Sequence, residues 1–283
     1  MANLKEIRAR ITSVGSTMQI TTAMKMVSAA KLKRAQDAIT QMRPYANKLR
    51  ELLVNLSSTL ESSEGGAYSD ARPVNKQLVV AITSNRGLCG AFNNNVIKQS
   101  KSLAAECDTA FLTIGKKGSE HFRKNGFEVV SSHDDLYADL SFANTSAIAQ
   151  DIMSHFTEGR YDKVVLVYNQ FKNAASQTIM SEPFLPVETP SDESVTIGDY
   201  IFEPEKEEIV VDLIPKSLKI QLFKAVLDSH ASEHGARMTA MHKATDNAGE
   251  LKKELTLTYN KARQAAITGE ILEIVGGAEA LNS

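Results

Sequence analysis

The chain has 283 residues, 42% of them hydrophobic and 23% charged, with a formal net charge of −2. That balance suits a substantial folded core and excludes disorder throughout. The longest uncharged stretch, Ile11 to Met24, is filled with Ser and Thr and falls short of the roughly 20 apolar residues a membrane span needs. It also lacks the apolar run and cleavage pattern of a secretory signal, so the chain reads as cytosolic. Cys89 and Cys107 stand at no metal-ligand or redox spacing and fit buried or incidental thiols in a reducing compartment.

The first predicted element is a long helix. Leu4, Ile7, Ile11, Val14 and Met18 advance by alternating steps of three and four residues. After a slip near Met24 the stripe resumes through Ala35, Ala38, Met42, Leu49, Leu53, Leu56 and Leu60, with Pro44 expected to bend it. A stripe this narrow buries itself against another helix and not against a sheet. Residues 1–50 hold ten Lys or Arg against Glu6 and Asp37, a charge of +8 that leaves −10 for the rest. Arg8, Lys25, Lys31, Lys33, Arg34 and Lys48 therefore offer attraction to acidic surfaces. Nucleic acid is the weaker partner, since Tyr45 is the lone aromatic of this basic stretch and no reading motif accompanies it.

A turn-rich linker over 61–75 ends the helical signal. Then β-branched runs, Gln77 to Thr83, Thr109 to Ile114 and Lys163 to Tyr168, alternate with amphipathic segments at Asn94 to Glu106, Lys117 to Lys124 and Thr145 to Glu158. That order predicts a parallel sheet with right-handed crossovers, an open Rossmann-like α/β layer. Gln177 to Val187 contains Pro183 and Pro186 and belongs at an edge. An acidic, proline-bearing piece at 188–208 leads to a second long helix with its own seam at Met241, Ala244, Ala248, Leu251, Leu255, Ala262 and Ala266. Helices of about 55 to 65 residues measure about 85 to 95 Å and must protrude from a domain of this size. The expected layout is an antiparallel coiled coil of the two terminal segments, 1–60 and 216–283, with an α/β domain at 61–215 inserted between them.

No motif for chemistry survives inspection. The loop Ser84-Asn85-Arg86-Gly87-Leu88-Cys89-Gly90 lacks the glycine spacing that admits a pyrophosphate, and Gly115-Lys116-Lys117-Gly118 is no Walker pattern. Both read as tight turns, although the glycines of the first suit a docking surface. His230-Ala231-Ser232-Glu233-His234 matches H-x-x-E-H, with His242 nearby. A catalytic zinc needs a third protein ligand and a shaped pocket, and the helical residues that follow offer neither. No cofactor is expected. The rival to a mechanical role is a coiled-coil scaffold whose α/β body binds a small ligand.

Three stretches carry a resemblance: Met18 to Val27 (MQITTAMKMV), Arg86 to Gly90 with Asn93, and Leu257 to Thr268 (LTLTYNKARQAAIT without its first Leu-Thr pair) followed by Glu270-Ile271 and Glu273-Ile274-Val275. Together they resemble the gamma subunit of bacterial F-type ATP synthase along the whole chain. The resemblance implies a rotor shaft without a catalytic site of its own. It would enter a ring of alternating alpha and beta subunits, contact the epsilon subunit and the ring of c subunits, and lie at the cytoplasmic face of the bacterial inner membrane. It also implies that Met24 and Lys25 meet the lever loops of beta and that Arg263, Gln264 and Thr268 meet a beta catch loop. Tyr200, Phe202 and Glu203 resemble the foot on the c ring, and Arg86, Gly87 and Gly90, in the family's first-strand loop, are the residues expected at the docking surface if that loop is more than a tight turn. From Gln264 onward the charged residues are Glu270, Glu273 and Glu279, which suits an apolar bearing better than a solvated helix.

Overall fold

A computed structural model describes residues 4–57, 68, 72–187 and 206–282. The chain divides into two compact units, residues 1–28 with 238–283, and residues 29–237. Both long helices, α1 (Leu4–Ser57) and α5 (Lys206–Asn282), contribute to each unit, and Pro44 and Pro215 lie inside them.

In the smaller unit α1 and α5 run antiparallel in one register. The Thr21 and Thr245 hydroxyls are 2.8 Å apart, Gly249 faces the Met18 sulfur and Gly15 faces the Lys252 ammonium. The Arg8 guanidinium stands 5.9 Å from the centre of the Tyr259 ring. Burial follows Ile7, Thr21 and Ser28 on one helix and Met241 and Ala248 on the other, with Leu4, Ile11, Val14, Met18 and Lys25 half-buried between them. The expected slip near Met24 is therefore absent. The steps of three and four continue through Thr21, Lys25 and Ser28 to Leu32, Ala35 and Ile39, because small hydroxyl side chains and a lysine stem occupy seam positions that a hydrophobic reading passes over. On α5 the seam runs through Thr245, Lys252, Leu255, Tyr259 and Ala262. Leu251, expected on it, is 45% exposed.

The larger unit holds a five-stranded sheet in the order β3-β2-β1-β4-β5. Its strands are β1 (Lys76–Ile82), β2 (Asp108–Ile114), β3 (Val129–His133), β4 (Lys163–Phe171) and β5 (Gln177–Leu185). The first four are mutually parallel, and β5 pairs antiparallel with β4. As expected from its prolines, β5 is an edge strand, and the register shifts beside Pro183, where a missing N–H would break the ladder. Strand β3 escapes sequence reading because it is short, half-buried and half polar.

Crossover helices cover both faces. On one, Val79, Ala81, Val165 and Val167 pack with Val96 and Ile97 of α2 (Phe92–Ala104) and Phe122 of α3 (Lys116–Lys124). On the other, Leu78, Val80, Ile82, Val164 and Leu166 pack with Ile148, Ile152, Met153 and Phe156 of α4 (Phe142–Thr157) and with Leu218, Leu222, Ala225 and Val226 of α5. The alternation along β1 and β4 thus divides each strand between two cores.

Gly115 closes the β2–α3 turn at φ 101°, and a Cβ there would overlap the Thr83 carbonyl oxygen. Gly115→Ala is expected to cost about 2 kcal/mol or more, read as a lowered midpoint of chemical denaturation. A midpoint equal to that of the parent would remove this account of the turn.

Candidate functional site

The carboxyl ends of parallel strands, where the connections diverge to opposite faces, form the crevice in which open α/β sheets receive ligands. Here β1 and β4 flank that point, and α5 itself occupies it. The Ser232 hydroxyl donates to the Asn169 carbonyl at 2.9 Å. Arg237 donates to the carbonyls of Arg86 and Gly87 at 3.2 and 3.4 Å. Gly235 makes this approach possible, since a Cβ at that position would stand 3.1 Å from the Ala174 carbonyl oxygen.

The β1 loop is braced from beneath. Asn93 accepts the Ser84 amide at 2.9 Å, donates to the Ser84 hydroxyl at 2.8 Å and to the Cys89 sulfur at 3.3 Å. Ser84 in turn donates to the Arg86 carbonyl at 2.6 Å. Cys89 is buried and Cys107 half-buried, both free, and burial raises the Cys89 thiol above its ordinary range. The outward members, Arg86, Gly87 and Gly90, are exposed, and Gly90 supplies φ 60°. Leu88, which sequence reasoning left aside, is 65% exposed and sits at φ 63°. A branched side chain held in the left-handed region is strained, and the sequence signal for it was the bulky residue between two glycines.

The H-x-x-E-H motif faces into this packing. His230 and His234 place their Nε2 atoms 3.1 Å apart, and the Tyr137 ring stacks on His230 with centroids 5.7 Å apart, while its hydroxyl donates to the Thr83 carbonyl at 2.9 Å. Glu233 is engaged by Arg237 in a buried ion pair. Among the described residues no group of three His, Cys, Asp or Glu side chains is placed to hold a metal ion. Burial, reinforced by the charges of Lys31 and Arg237, lowers His230 to about 4; burial, His230 and the same cations lower His234 to about 3. The pair is neutral near pH 7, one ring donating to the other.

In the smaller unit Met24 and Lys25 are half-buried on α1. Arg263, Gln264 and Thr268 are exposed on α5, and Thr268 returns its hydroxyl to the Gln264 carbonyl at 2.9 Å. The register places Leu4 beside Ala262, so α5 runs on past the described start of α1. Arg263 and Gln264 begin that overhang, roughly 30 Å along the coil from Met24 at 1.5 Å per residue. In it Ile267, Ile271, Leu272, Ile274 and Val275 are 48 to 71% exposed. The foot residues Tyr200, Phe202 and Glu203 lie outside the described residues.

A neutral buried histidine loses stability to its unfolded counterpart as pH falls below the ordinary value of 6.5 toward its own lowered one. Glu233, raised by burial, titrates with the opposite sign. His230→Leu with His234→Met is therefore expected to lose less stability than the parent between pH 6.5 and 4.5, in denaturant melts. Equal losses would show that the histidines are not held neutral.

The family model for ATP synthase matches residues 3–281. The chain is 64% identical to the ATP synthase gamma chain of Flavobacterium johnsoniae and 51% identical to that of Cytophaga hutchinsonii, covering all of both sequences in each case. Among solved structures it is similar to a chain of the Tetrahymena thermophila mitochondrial ATP synthase central stalk and c-ring, with TM-score 0.61 and 29% identity, covering 80% of this chain and 99% of that one. A chain of the Euglena gracilis mitochondrial ATP synthase shares the fold at TM-score 0.71 and 23% identity, covering 98% and 94%. With matches that span both long helices and the sheet between them, the chain belongs to the ATP synthase gamma chain family.

Proposed function

We propose that this chain turns as the central shaft of an F-type ATP synthase, with the paired helices inside a ring of alternating alpha and beta subunits. The α/β body would rest on the epsilon subunit and the c ring, at the cytoplasmic face of the bacterial inner membrane. The observation that carries this reading is the stretch of α5 beyond the described start of α1, with five large apolar side chains about half exposed or more. Burying the remainder of each is worth about 1 kcal/mol, and the attraction has no preferred direction. A sleeve of partner subunits can hold such a tip without stopping it at one angle.

Coupling needs the reverse, contacts that change with angle. One asymmetric shaft in a three-fold ring meets each beta subunit differently, and the differential contact energy sets different nucleotide affinities at three equivalent sites. We assign Met24 and Lys25 to the acidic lever loops of beta, with the +8 of residues 1–50 supplying the complementary sign. Arg263, Gln264 and Thr268 are assigned to the catch loop, Arg86, Gly87 and Gly90 to docking, and Tyr200, Phe202 and Glu203 to the c ring. Arg263 and Gln264 suit a catch because they are polar groups at the mouth of an apolar bearing, where a hydrogen bond gains strength from exclusion of water. On this reading the chain works without a cofactor and without a catalytic site of its own, and chemistry belongs to its partners.

Arg263→Ala with Gln264→Ala is expected to lower proton-driven ATP synthesis about threefold or more, the scale of modulation found within coupling networks, while the assembled complex is recovered in normal amount. Undiminished synthesis in membranes carrying both changes would remove the catch assignment. Mixing the chain with alpha and beta subunits separates a shaft from a scaffold: the shaft yields a stable ATPase complex, whereas a scaffold leaves alpha and beta unassembled.

A further inference from the structure

Within the larger unit, Arg43 of α1 and Asp228 of α5 form an ion pair, Nη2 to Oδ1, at 3.6 Å. The same guanidinium nitrogen donates to the carbonyl of Phe171, the last residue of β4, at 3.4 Å. The partners are unequal: the Arg43 side chain is 48% exposed and that of Asp228 only 1%. The donors that reach the Asp228 carboxylate, the Arg43 guanidinium and the Phe171 amide, fall short of full hydrogen-bonding geometry. Burial pushes the Asp228 carboxyl above the ordinary range against the pull of Arg43, Lys224 and the Phe171 amide. A carboxylate so deeply desolvated and so thinly satisfied costs stability, and a neutral side chain of equal size would fit the same space at a lower cost.

What the carboxylate does is visible in what α1 lacks. Helix α5 gives Leu218, Leu222, Ala225 and Val226 to the core of the sheet. Among the described residues, neither core contains a residue of α1, and its buried Leu32, Ala35 and Ile39 lie outside both. The sheet therefore grips α5 through packing, whereas Arg43 reaches from α1 to α5 and to the end of β4 together.

We propose that Arg43 and Asp228 are positioning residues for rotary coupling, a clasp that fixes α1 against α5 and the sheet so that a twist applied to one helix is carried by both. The proposal rests on the shaft reading above. The shape match of the seam fixes the register, and a buried carboxylate held at one point beside the sheet adds a stop against twist.

The test uses the assembled complex in inverted membrane vesicles, comparing proton-driven ATP synthesis with ATP hydrolysis, and thermal melting of the full-length chain. Asp228→Asn keeps the shape and removes the charge. It is expected to melt no lower than the parent yet to show a synthesis-to-hydrolysis ratio reduced about threefold. Arg43→Met, on the exposed side of the pair, should give the same reduction, Arg43→Lys should restore most of the ratio, and the double variant Arg43→Met with Asp228→Asn should fall no further than either alone. An unchanged ratio in Asp228→Asn, a lowered melting point with synthesis and hydrolysis falling in step, or additive losses in the double variant would each overturn the clasp. Parent complex that makes no ATP under a proton gradient would instead overturn the shaft reading on which the clasp rests.

Discussion

Helix α1 and helix α5 can lie close because their shared seam is narrow. Where the two hydroxyls of Thr21 and Thr245 touch, and where Gly249 and Gly15 leave space for Met18 and Lys252, large apolar side chains would push the helices apart. Small residues lower the apolar area buried per turn, so the pairing draws its specificity from matched shapes and from the hydroxyl contact more than from bulk hydrophobic burial. A fixed register follows, and that register determines how far α5 extends past the described start of α1. The exposed apolar tip is thus a consequence of seam geometry, and a tip of this kind is what a surrounding ring of subunits requires.

The α/β unit tells a complementary story about a fold whose usual ligand position has been taken by its own chain. At the ends of β1 and β4, a nucleotide-binding sheet would present glycine-rich backbone to a phosphate. Here Gly235 lets α5 settle on the Ala174 backbone, Arg237 takes the loop carbonyls, and Ser232 takes Asn169. The groups available for a ligand are spent on holding the helix. Fold class alone therefore points the wrong way about function, and the β1 loop is braced beneath by Asn93 and Ser84 and exposed above. Glu233 and Arg237 sit paired at the same place, with the neutral histidines beside them, so the residues of the zinc-like motif are engaged with one another and with the packed helix.

Periodicity made the large features legible: the two long helices, the alternation of β1, α2, β2, α3, α4 and β4, and the edge position of β5 were all readable from residue spacing and prolines. What it could not convey was carried by residues of mixed character. Thr21, Ser28 and Lys252 belong to the seam despite being polar, because a heptad position demands size before it demands hydrophobicity, and Leu251 lies outside it although it is apolar. Strand β3 stayed hidden because an edge strand with one half-solvated face has little alternation to show. Residues proposed to contact partners, such as Met24 and Arg263, carry no local signal of purpose and became candidates through resemblance, whereas Arg43 and Asp228 became visible only when folding brought a charge on one helix to a buried carboxylate on another.

The most direct measurement of the central claim is a disulfide across the seam. With Thr21→Cys and Thr245→Cys in the assembled complex, mild oxidation should close the bond readily, because the two hydroxyls stand 2.8 Å apart and paired Cβ positions in such a seam approach disulfide distance. Both cysteines then lie on the same rotating body, so ATP hydrolysis and proton pumping should continue at close to the unlinked rate. Failure of the bond to form, or a bond that stops turnover, would contradict an account in which these two segments are one shaft.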